Sequence, residues 1–133
     1  MNRALMLTAA MVFAVLASAL HVLIFYMESI AWEGTLARRT FGGTVEEARP
    51  HAFYAFNQGF YNLFLALQAI IGVVLTALGH TAIGVALMLA GTGAMLAAAV
   101  VLALASTPHR SAAAKQGALP LMVVSCTIVA LLG

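Results

Sequence analysis

His21 and Glu28 lie seven residues apart within an otherwise apolar run, so a helix would project both from one face, together with Phe25 and Trp32. A histidine and a carboxylate on a common face are the parts of a proton-transfer pair. Glu28 is the only acid in any apolar segment of the chain. Burying a charge at a bilayer centre costs about 2.5–3.5 kcal/mol on insertion scales, and less toward a helix end, where Glu28 stands. The structural alternative for His21 is a hydrogen-bonded core histidine; pairing with Glu28 raises the case for acid–base work. A second polar set follows in Asn57, Gln58, Tyr61, Asn62 and Gln68. At about 100° per residue, with Asn57 at zero, Gln68 falls near 20°, Tyr61 near 40°, Gln58 near 100° and Asn62 near 140°. His51 falls near 120° in the same frame. These side chains share one side of a helix, opposite Phe56, Phe60 and Leu63, and can either bind a ligand or glue helices together.

The elements that must position them are four apolar runs, at about residues 5–31, 52–78, 82–105 and 117–132. A helix needs about 20 residues to cross the hydrocarbon core, which the first three exceed and the fourth approaches. Closed barrels are the other spanning solution, and their period-2 alternation is absent. The composition agrees, with 64% hydrophobic and 8% charged residues, against about 25% charged in soluble chains. The expected fold is all-α, a single-domain integral membrane four-helix bundle over residues 1–133. Arg3, an apolar core and Ala17-Ser18-Ala19 also fit a cleaved signal peptide, but the apolar run continues to Met27 and favours a retained helix.

Basic residues set an expected orientation. Arg38, Arg39 and Arg49 fall in the first loop and Arg110 and Lys115 in the third, against Arg3 alone on the other side. This places loops one and three in the cytoplasm and both termini outside, in the plasma membrane of a bacterium. The end of the first helix and the starts of the second and fourth then share one membrane surface. There His21, Glu28, Trp32, His51, Asn57, Gln58, Tyr61, Asn62 and Gln116 can gather into a pocket. The opposite half offers mainly Thr8, Thr76, Thr92, Ser125 and Thr127, which can bond to their own helix carbonyls, so no continuous polar conduit is expected.

Other features are structural in first reading. Ala86, Ala90, Ala94 and Ala98, with Gly84, Gly91 and Gly93 nearby, form a small-residue stripe suited to close packing inside the bundle or, less readily, to a homo-oligomer. Pro120 falls one turn into the expected fourth helix, where a missing N–H is best tolerated. Cys126 is alone, which excludes an intramolecular disulfide and a C-x-x-C redox pair. The six basic residues form no run, which speaks against nucleic acid as a partner. His21, Glu28 and His51 could supply three metal ligands, yet no tight spacing such as H-E-x-x-H is present, and no metal is assigned. The sequence identifies no cofactor.

The chain resembles the small bacterial and fungal membrane proteins grouped as domain-of-unknown-function family 1304. His21, Phe25, Glu28 and Trp32 match the family's first-helix pattern, and Asn57-Gln58-Gly59-Phe60-Tyr61-Asn62-Leu63-Phe64-Leu65-Ala66 matches its N-Q-G-x-Y-N-x-F-L-A stretch. Gln116, Gly117 and Pro120 match a late Q-G-x-P-A only in part, with Ala118 and Leu119 before the proline and Leu121 after it. The resemblance implies a four-helix membrane fold and no particular activity.

The leading functional expectation is a pocket, open toward the first and third loops, that binds a small or lipid-like ligand for transport or sensing. In this reading Trp32, His51, Asn57, Gln58, Tyr61, Asn62 and Gln116 contact the ligand. The rival is a membrane enzyme in which Glu28 and His21 exchange protons on a lipid-soluble, isoprenoid-like substrate, with Trp32 or Tyr61 offering a π-face to a developing cation. A third reading is an accessory subunit of a larger membrane complex.

Overall fold

The first helix begins where the Asn2 side chain accepts from the backbone N–H of Ala4 and Leu5, at 3.0 and 3.3 Å, satisfying donors that a helix start leaves unpaired. A computed structural model describes residues 2–133. Helix α1 spans Arg3–Phe25 and continues without a break into a π-helical turn, Tyr26–Ile30. The first loop folds into two short helices, α2 (Thr35–Phe41) and α3 (Val45–Ala48). Helix α4 spans Ala52–Ala77, α5 Thr81–Ala105 and α6 Arg110–Leu132. Four of these helical stretches are long and apolar enough to cross a membrane, at 28, 33, 25 and 26 residues. The protein is an all-α membrane bundle.

The four long helices form a ring. α1 packs on α4 and α6, α5 packs on α4 and α6, and the diagonal pairs touch little. Small side chains let the backbones approach, as lipid supplies no hydrophobic drive for helix association. Ala10, Ala14 and Ala17 line the inner face of α1, Ala66 and Ala69 that of α4, with Met88 and Met95 of α5 filling the space between. The tightest crossing is α4 on α5, where a methyl group added at Gly72 would collide with the backbone of Met88 and Gly84. Thr8, Thr76, Thr92 and Thr127 each donate to the carbonyl four residues earlier, at 2.7–2.9 Å. Val12, Leu16, Phe56, Phe64, Leu67 and Ile71 project outward, as a lipid-facing surface requires.

Several details differ from the sequence expectation. The alanines at 86, 90, 94 and 98 face outward, and α5 turns Gly84, Met88, Gly91, Met95 and Ala99 to the core. Ala86 stands two residues, about 200°, from Gly84, and glycine permits the closer approach, so the glycine line faces in. The fourth helix starts at Arg110 rather than Gly117, since apolarity marks membrane depth while Ala112, Ala113 and Ala114 favour helix before it. Pro120 therefore lies mid-helix and buried, and has no N–H to give the Gln116 carbonyl. The first α-helix stops at Phe25, and the π turn carries the chain to Ile30. Cys126 is partly buried against the cluster of Ala10, Ala14, Met88 and Val123.

Candidate ligand-binding site

The π turn carries Glu28. Such widened turns take more residues per turn than an α-helix and recur at functional sites. Here the turn rotates Glu28 toward α4, where Asn62 Nδ2 donates to Glu28 Oε2 at 2.9 Å and to its own helix at the Gln58 carbonyl at 3.2 Å. The neighbouring Ser29 hydroxyl donates to the Phe56 carbonyl at 2.7 Å, pinning the turn to α4. Gly59 makes this approach possible, because a Cβ there would overlap the Ser29 hydroxyl. Phe25 meets Phe60 edge-on at 5.1 Å just beside it.

Beyond the carboxylate lies a shallow pocket of about 200 Å³, lined by Glu28, Trp32, His51, Tyr54, Ala55 and Gln58. The first loop reaches it through its two end residues, Trp32 and His51. Trp32 Nε1 donates to the Ala48 carbonyl at 2.8 Å, tying the end of the first span to the entrance of α4. The Arg38 guanidinium lies over the Trp32 ring, 4.3 Å from its centroid, and donates to the carbonyls of Trp32 and Gly42 at 3.2 and 2.7 Å. Gly42 and Gly43 turn the chain with φ of 83° and 77°, values that glycine adopts without strain. Thr44 and Glu47 then open α3 with reciprocal side-chain caps. Arg49 bridges to Glu33 at 3.0 Å across the outside of the loop.

The structure divides the residues singled out in the sequence. Glu28, Trp32, His51 and Gln58 line the small pocket, and Asn62 holds Glu28 from behind. His21 is buried at 1% exposure deeper in the bundle, with Nδ1 bonded to the Ala17 carbonyl at 2.9 Å, and it is not a lining residue of this pocket. Asn57 and Tyr61 are exposed on the outer face of α4, Tyr61 at 62%. Gln116 lines a different cavity, between α1, α2 and the start of α6. One face of Trp32 already carries Arg38. Among the described residues, no three His, Cys, Asp or Glu side chains gather closely enough to hold a metal ion.

Sequence reasoning missed Tyr54, Ser29 and Arg38. Tyr54 stands one helical turn before Gln58 and three residues after His51, a spacing that marks it as their neighbour. Ser29 and Arg38 carry no comparable signal, since a π turn and a folded loop place them.

The arrangement can hold a small ligand by a carboxylate at the base, with imidazole, phenol and amide groups at the rim. A search of curated proteins and of solved structures finds no match to the chain. The family described as "Protein of unknown function (DUF1304)" matches residues 15–128, which include the π turn, both polar stretches, the second and third spans whole and most of the fourth, and the chain belongs to that family.

Proposed function

We propose that this membrane protein binds a small or lipid-like ligand in the pocket at the Glu28 end of the bundle, serving sensing or transport. The observation that carries this reading is the placement of Glu28. An acid within a membrane helix is costly unless it is used. Here a π turn, a glycine contact and an amide donor hold it at the base of an opening lined by His51, Tyr54 and Gln58. A carboxylate in that setting favours a ligand that presents a hydrogen-bond donor or a cationic group. The basic first and third loops support a cytoplasmic opening, with both termini outside, in a bacterial inner membrane.

Mass spectrometry of small molecules released from the protein, extracted in one mild detergent as wild type and as Glu28→Gln, tests the proposal. A species retained by the wild type and lost from the variant is the expected result. Indistinguishable released molecules from two equally folded proteins would overturn it.

A further inference from the structure

A second cavity, larger than the Glu28 pocket, opens at the same end of the bundle. It has a volume of about 600 Å³, lies between α1, α2 and the start of α6, and shares no lining residue with the smaller site. That volume falls within the range of about 300–1,000 Å³ usual for small-molecule sites. Its two ends differ in chemistry. Leu20, Leu23 and Ile24 of α1 and Met27 of the π turn make an apolar wall, to which Phe41 at the end of α2 adds its ring. Arg39 of α2 and Lys115 of α6 stand at the loop end, where Thr40, Ser111 and Gln116 add polar side chains. No acid lines it.

The basic residues of this membrane surface fall into two groups. Arg38 is bonded to the carbonyls of Trp32 and Gly42, Arg49 to Glu33, and Arg110 to the Ala103 carbonyl. Among the described residues, Arg39 and Lys115 have no such bond, and the Arg49–Glu33 bridge is the only salt bridge. Among the described residues, the two cations of this surface without a protein partner are thus the two that line the cavity, one from α2 and one from the first turns of α6.

We infer that this cavity is a binding site for one anionic amphiphile, whose phosphate or carboxylate head sits between Arg39 and Lys115 and whose chain lies along Leu20, Leu23, Ile24 and Met27. Basic pockets between membrane helices recognise anionic lipid head groups in this way. The apolar wall distinguishes such a site from one for a free anion, because a water-soluble phosphate would leave that wall uncovered.

Native mass spectrometry of the full chain in neutral detergent tests the inference, with phosphatidylglycerol, phosphatidylcholine and glycerol 3-phosphate as probes. The wild type is expected to bind phosphatidylglycerol over phosphatidylcholine by about tenfold, and glycerol 3-phosphate not at all at lipid-saturating concentrations. The Arg39→Gln/Lys115→Gln variant changes two exposed side chains and is expected to lose the preference. Arg49→Gln, at the same surface, and Glu28→Gln are expected to keep it, so this site and the Glu28 pocket fail independently. Equal binding of the two lipids, or a preference that survives the double substitution, would overturn the inference. So would equal loss in Arg49→Gln, which indicates diffuse surface charge, or glycerol 3-phosphate binding as tightly as the lipid, which indicates a head-group site alone.

Discussion

Asn62 on α4 donates a 2.9 Å hydrogen bond to the Glu28 carboxylate on the π turn that follows α1. This contact joins the two polar stretches of the sequence across 34 residues and fixes the base of the small pocket. Among the described residues no donor meets the second carboxylate oxygen, so Glu28 is held in place while retaining acceptor capacity.

Removing the donor costs more than neutralising the acceptor. Asn62→Leu strips Glu28 of its side-chain partner and is expected to destabilise the fold by about 1 kcal/mol, the low end of the penalty for an unpaired group, because Glu28 is half-buried and faces an open pocket. Glu28→Gln keeps an oxygen of the same shape in the same place, still accepts from Asn62, and is expected to cost less than about 0.5 kcal/mol. A double-mutant cycle with Glu28→Leu and Asn62→Leu, followed by unfolding in detergent micelles, is expected to show coupling of about 0.6–1.7 kcal/mol.

Gly59→Ala attacks the same junction sterically. The new methyl group collides with the Ser29 hydroxyl and crowds the Glu28 Cβ at 3.1 Å, so α1 and α4 must separate or the hydroxyl must leave the Phe56 carbonyl. The expected loss is about 1–3 kcal/mol. Ser29→Ala removes the obstructing oxygen, and the pair of substitutions is expected to cost less than the sum of the two, measured by thermal unfolding of all three variants.

Two glycines of nearby helices separate packing from propensity. Gly72→Ala would drive a methyl group into the backbone of Met88 and Gly84, which cannot rotate away. It is expected to cost at least about 2 kcal/mol. Gly93 has nothing within 4 Å of the position a Cβ would take, so Gly93→Ala is expected to be neutral or to stabilise by up to about 1 kcal/mol through helix propensity. Melting temperatures of the two variants decide this directly.

Most of the fold is legible in the sequence because apolar length and composition alone require spanning helices. The inward faces are less so. On α4 the buried side follows Ala55, Gly59, Ala66 and Ala69, and Asn62 lies within that strip, while Asn57 and Tyr61 lie about 100° or more away from Asn62 on the wheel. Polarity suggested one shared face, yet close backbone approach through small residues decides which side turns inward. On α1 the seven-residue spacing of His21 and Glu28 assumes an unbroken α-helix, and the π turn after Phe25 alters that register. Membrane depth alone groups Gln116 with Glu28, but α6 packs on α1 from the side away from α4, and Gln116 lines the other cavity. The larger cavity is not legible because Arg39 and Lys115 are distant in sequence, and only the packing of α2 and α6 against α1 brings them to one opening.

Trp32 holds the first loop against the bundle through the Ala48 carbonyl and through Arg38 above its ring. Trp32→Phe keeps an aromatic ring and removes the Nε1 donor, a loss of about 0.5–1.5 kcal/mol. The spans are expected to stay folded while cleavage by trypsin after Arg38 and Arg39 rises about fivefold, tracking local opening. An unchanged cleavage rate would show that the indole bond does not restrain the loop.

The most direct test of ligand binding at Glu28 is a crystal structure grown from lipidic mesophase after gentle extraction. The expected result is non-protein density in the pocket bounded by Trp32, His51, Tyr54 and Gln58, with an atom about 2.5–3.2 Å from the Glu28 carboxylate. A well-ordered Glu28 whose only partner is Asn62, facing a pocket that holds solvent alone, would contradict the proposed function.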